Sequence, residues 1–112
     1  MGAGVYTAIM PPKLAENSTT DQYTATNVTT VISAFVATNQ TALDAVLSVW
    51  LVPPGDSVSN ASRIIPAVTI RAGTARDLTE LVGQVLPSGG KIYTLAGTAS
   101  AITIISSGRE IA

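Results

Sequence analysis

From Leu43 to Val52 the chain alternates strictly, with Leu43, Ala45, Leu47, Val49 and Leu51 on one face and Asp44, Val46, Ser48, Trp50 and Val52 on the other. A period of two belongs to an extended strand with one buried side, and no helix accommodates it. The preceding segment, Val28 to Thr38, is apolar at both parities: Val28, Ile32, Ala34 and Val36 alternate with Val31, Phe35 and Ala37. Such a strand is expected to be covered on both sides. Between them "TNQT", residues 38–41, reads as a turn.

The rest of the chain repeats this grammar of short Thr-, Val- and Ile-rich runs punctuated by Gly, Pro, Asn and Asp. A short strand is expected near Gln22 to Thr26, and further pieces at Arg63 to Ile65 and Ala67 to Arg71 on either side of Pro66. "LPSGG" leads into Lys91 to Leu95, and "AGTAS" into Ala101 to Ser107. In "VPPGDSVSN" the residues Pro54, Gly55 and Asp56 give a strong turn. One helix of at most two turns is expected in "AGTARDLTELVGQ", with Thr74 or Asp77 as its cap and Leu78, Leu81 and Val82 as its apolar stripe. The expected fold is all-β: an antiparallel sandwich or barrel of about eight short strands. Residues 1–21 are expected as an N-terminal arm, irregular around Pro11 and Pro12, and residues 22–112 as the β-domain.

Charged residues make up only 12% of the 112 residues against 46% hydrophobic ones, about half the usual charged share. The surface must therefore be built from Thr, Ser, Ala, Gly and some aliphatic side chains, which suits packing against other chains. A net charge of -1 and scattered basic residues argue against nucleic acid. No apolar run approaches a membrane span, and the first residues lack the basic and apolar regions of a signal peptide.

The chain has no cysteine and no histidine. That removes thiolate metal sites, disulfides, and the Ser-His and Cys-His nucleophile pairs. The carboxylates Asp44, Asp56, Asp77, Glu80 and Glu110 are spread over a strand, a turn, the expected helix start and the C-terminus, in roles of turn formation, capping or surface pairing. Neither "MGAG" nor "PSGG" has phosphate-loop spacing, and no stretch resembles a calcium loop. No catalytic, cofactor-binding or metal-binding residue is therefore assigned, and the expectation is a protein that is not an enzyme. Trp50 has two readings: it covers the back of the sheet beneath the arm, or it anchors a neighbouring subunit.

The run "DLTELVGQVLPSGGKIYTLAGTASAITIISSGREI", residues 77–111, resembles small structural proteins of tailed-bacteriophage virions. The landmarks are Glu80, Leu81 and Val82, then Leu86, Gly89 and Gly90, then Ala96 and Ala99, and finally Ser107, Gly108 and Glu110. With the two upstream strands the resemblance covers roughly Tyr23 to Ile111, and it leaves the N-terminal stretch unmatched. It implies a jelly-roll-like β-sandwich made in the host cytoplasm and carried on the capsid exterior. There it would act as a decoration or cement protein on the major capsid protein, as a homo-oligomer, dimer or trimer. A neck, tail or head-fibre component is the alternative within the virion, and a glycan- or receptor-binding sandwich the alternative outside that class. The expected interface residues are Tyr6, Ile9, Met10 and Leu14 in the arm, Trp50, and Arg63 and Arg109 as polar partners.

Overall fold

The computed structural model describes residues 5–112. Nine strands follow one another: β1 (Val5–Leu14), β2 (Thr20–Thr24), β3 (Thr29–Asn39), β4 (Ala45–Val52), β5 (Arg63–Ile70), β6 (Thr74–Asp77), β7 (Val85–Leu86), β8 (Lys91–Ala96) and β9 (Ile102–Ile111). Every pairing is antiparallel, in two sheets ordered β1-β9-β3-β6, with β7 further along β3, and β2-β8-β4-β5. The pairs β1·β9, β2·β8, β3·β6/β7 and β4·β5 are those of one long hairpin with its tip at the β4–β5 loop, rolled so that its two ends fall in both sheets. That is the jelly-roll arrangement, with β6 and β7 sharing one of its eight positions.

The alternation read in Leu43–Val52 sets the core. Ala45, Leu47 and Val49 point inward and meet Ile32, Phe35, Ile102 and Ile104 from the opposite sheet, all fully or nearly fully buried. A β-carbon at Gly108 would lie 2.8 Å from the Val31 carbonyl oxygen and 3.3 Å from Ile9. Only glycine lets β9 run this close to β3 beneath the Ile9 side chain.

Three expectations change. Residues 1–4 of the arm lie outside the described residues, but residues 5–14 form a ten-residue edge strand on β9, not an irregular arm. Pro11 and Pro12 are accommodated because an edge strand has one side free of ladder bonds, and the register slips twice, between Thr7 and Met10 and between Met10 and Lys13. Pro66 likewise does not split β5, which passes it with a register shift against β4 and a left-handed Ala67 (φ 50°). The expected helix is absent: Thr74–Asp77 is β6, Thr79–Leu81 a single 3₁₀ turn, and Val85–Leu86 β7. Two turns of helix are too few to stand alone, whereas the edge of β3 offers partners. Leu78 N–H donates to Phe35 O at 2.8 Å, Gly83 N–H to Ile32 O at 2.7 Å and Ile32 N–H to Gln84 O at 3.0 Å. Of the expected stripe Leu78, Leu81 and Val82, the two leucines are buried all the same, whereas Val82 is 44% exposed.

Candidate protein-interaction surfaces

The outer face of the β1-β9-β3-β6 sheet is not covered by any described part of the chain. Its side chains follow from register. Tyr6, Arg109, Val31 and Val85 form one row across β1, β9, β3 and β7. Ile105, Val36 and Asp77 form a second row across β9, β3 and β6. Between the rows Ala34 faces Ser107. Tyr6 is 74% exposed, Val85 55% and Ile105 41%. The two-sided apolar pattern of Val28–Thr38 therefore has one side satisfied by the core and the other left open. Among the described residues, Arg109 and Asp77 are the only charges at outward positions of β9, β3, β6 and β7, and neither makes an ion pair.

A second surface lies at one end of the sandwich, where the loops 15–19, 40–44, 71–73 and 97–101 meet. Leu43, 77% exposed, borders an open cleft of about 280 Å³ lined also by Thr41, Ala42, Ala45, Thr98 and Ala101. Asn39, fully buried at the end of β3, shapes this loop. Its Nδ2 donates to Leu43 O at 2.8 Å and Ile70 O at 2.9 Å, and its Oδ1 accepts from Thr41 N–H at 2.9 Å and Thr41 Oγ1 at 2.7 Å. Asp44 is taken up locally, its Oδ1 accepting from Ala72 N–H at 2.9 Å.

The seven expected interface residues divide. Tyr6 and Arg109 are cross-strand partners on the open face. Leu14, half-exposed opposite Thr103, reaches the loop end. Ile9 and Met10 are withdrawn: the register slips of β1 turn both inward, leaving them 7% and 1% exposed. Trp50 lies on the outer side of the other sheet, away from β1, but it too is only 7% exposed and is withdrawn as a contact; the Arg63 guanidinium sits 5.3 Å from its ring centroid. Arg63 also donates to Ser48 Oγ at 2.6 Å, and Ser48 Oγ accepts Ala67 N–H at 3.0 Å, so the pair clamps the tip of the long hairpin. Sequence reading missed Asp77, Val85, Ile105 and Leu43, because their exposure depends on which side of each strand the second sheet covers.

One polar cluster ties the two sheets together. Tyr23 on β2 donates its hydroxyl to Glu110 Oε2 on β9 at 2.5 Å and lies 2.7 Å from Thr30 Oγ1 on β3. Burial, reinforced by the bond to Glu110, pushes the Tyr23 phenol up to about 12 from its ordinary 10.0. The folded chain thus keeps a proton that the unfolded chain loses first. This contribution to stability is complete below pH 10 and is lost as pH rises from 10 through about 12. Urea midpoints measured at pH 9 and pH 11 are expected to fall across that window, and Tyr23→Phe to flatten the part of the fall that belongs to this group.

Among the described residues no group of three or more acidic side chains could hold a metal ion, and no helix is long and apolar enough to cross a membrane. In comparison with known proteins, no family model, no curated protein and no solved structure matches the chain.

Proposed function

We propose that this protein is a non-enzymatic structural component of a tailed-bacteriophage virion, bound as a homo-oligomer to the capsid exterior, where it cements adjacent major capsid proteins. The observation that carries the reading is the placing of its exposed apolar side chains. Tyr6, Val85 and Ile105 are spread over one open sheet face, and Leu43 crowns one loop end. Neither surface is a closed pocket with converging polar groups, the form a small-molecule site takes. A flat face and an apolar tip are what a protein needs to touch two neighbours at once. The resemblance of residues 77–111 to phage virion proteins supports the same reading, as does the jelly-roll strand order, although this fold serves many tasks. The aromatic side chains do not gather into an open glycan platform: Phe35 is in the core, Tyr23 bridges the sheets, Tyr6 is on the opposite sheet, and Trp50, though the cross-strand partner of Tyr93, is buried against Arg63.

In this reading the loop end seats on the shell. A ligand that binds only the assembled capsid raises its stability by mass action. Adding the protein to purified capsids that lack it is therefore expected to raise the temperature at which the shell opens. Leu43→Asp removes an exposed apolar contact, worth about 1.5–3 kcal/mol when fully buried. It is expected to weaken binding by about 10- to 100-fold while leaving the fold intact. A shell whose melting is unmoved by saturating wild-type protein would refute the cement role.

A further inference from the structure

We infer that the open face of the β1-β9-β3-β6 sheet binds a second copy of the same chain about a twofold axis, with Arg109 of each copy paired to Asp77 of the other. The inference rests on the homo-oligomer part of the reading above and on nothing in its capsid part.

The two charges are too far apart to meet within one chain. Arg109 stands opposite Val31 on β3, and Asp77 opposite Val36. Across the β3 bulge the two rows are four residues of β9 apart, from Ile105 to Arg109, which separates the charges by about 14 Å along the sheet, and two strand spacings separate them by about 10 Å across it. Neither has an ionic partner among the described residues, and the neighbouring Glu110 is turned inward to Tyr23. An apolar face with one cation at one end and one anion at the other is complementary to itself. A twofold contact repeats every pairing, so turning one copy over the other forms two Arg109–Asp77 pairs together.

The side chains between the charges fit this geometry. The midpoint of the Arg109–Asp77 vector falls on β3 near Ser33 and Ala34, beside Ser107. These small, exposed residues let two faces approach closely at the axis. Three strands of ten or eleven residues, with the short β6 and β7 sharing the fourth position, give a face of roughly 600 Å² in projection. With side-chain relief that approaches the ~800 Å² a side of a stable interface. Edge-to-edge growth is disfavoured on β1 by Pro11 and Pro12 and on β5 by Pro66, each removing a strand donor at an outer edge.

Sedimentation equilibrium of the purified full chain tests this, with circular dichroism to verify folding of each variant. The wild type is expected to be a dimer at tens of micromolar, roughly the range of standard interfaces of modest affinity. Arg109→Asp and Asp77→Arg each replace two attractive pairs by two repulsive ones, and each is expected to weaken dimerisation by on the order of 100-fold. The double reversal, Arg109→Asp with Asp77→Arg, is expected to restore the dimer to within about tenfold of wild type. Ala34→Arg, which sets two cations face to face at the axis, is a second break that needs neither charged residue. A monomeric wild type overturns the inference, as does a dimer indifferent to these changes or a double reversal as weak as the singles. A monomer that still saturates capsids would sink this interface and the homo-oligomer part of the reading, but not its capsid part. A charge-swappable dimer that leaves capsids untouched would sink the capsid reading alone.

Discussion

Phe35→Ala is expected to destabilise the protein by about 3–5 kcal/mol, the largest loss any single truncation here should produce. Phe35 is 1% exposed and is among the largest fully buried side chains. It sits in the middle of β3, the strand that pairs with β9 on one side and β6 and β7 on the other. Its carbonyl also receives Leu78 N–H at 2.8 Å, so the cavity would open beneath the link to the 3₁₀ turn. A domain of this size has a total stability of about 5–15 kcal/mol, and the variant should be left near the edge of folding. In urea the midpoint should drop sharply while the slope stays the same, as expected when stability changes and compactness does not.

Asn39→Asp is expected to cost about 2–4 kcal/mol at neutral pH, although it changes one atom. The Asn39 amide nitrogen holds two carbonyl oxygens, of Leu43 and Ile70, in a fully buried site. Aspartate puts an acceptor where a donor is needed and leaves both carbonyls unpaired. Protonation returns one donor, so part of the loss should be recovered on acidification, which an apolar substitution such as Asn39→Leu would not show. The same change should loosen residues 40–44 and with them Leu43. A drop in capsid affinity larger than the stability loss explains would tie Asn39 to the proposed seat.

How much of this could be read from the sequence follows a physical line. The β-class, the inward side of Ala45, Leu47 and Val49, and the placing of Trp50 on the outer side came from period-two alternation, which is local information. The segment 74–86 misled because the spacing of Leu78 and Leu81 satisfies one 3₁₀ turn as well as a helix. Only the waiting edge of β3, a long-range partner, decides between them. Pro11 and Pro12 misled for a related reason. A proline excludes a central strand but not an edge, and edge status is a property of the sheet order. The expectation that Ile9 and Met10 are exposed contacts fails for the same reason, because the register slips of this edge strand turn both inward. The open face is half legible: residue type singles out Tyr6 and Arg109, but their meeting depends on the β1–β9 register. In sequence Asp77 reads as one of two candidate helix caps, with Thr74, which hides it as the other charge of the face.

The central claim is that this jelly roll binds many equivalent positions on an assembled phage shell. Co-sedimentation of the purified protein with capsids lacking it, scored as copies bound per shell, tests it most directly. The account predicts saturation at a number set by the lattice of major capsid proteins, on the order of hundreds of copies if each lattice position offers a mass-action site. Saturation at a handful of copies would assign the protein to a neck, tail or portal vertex, and no binding at all would contradict the virion role.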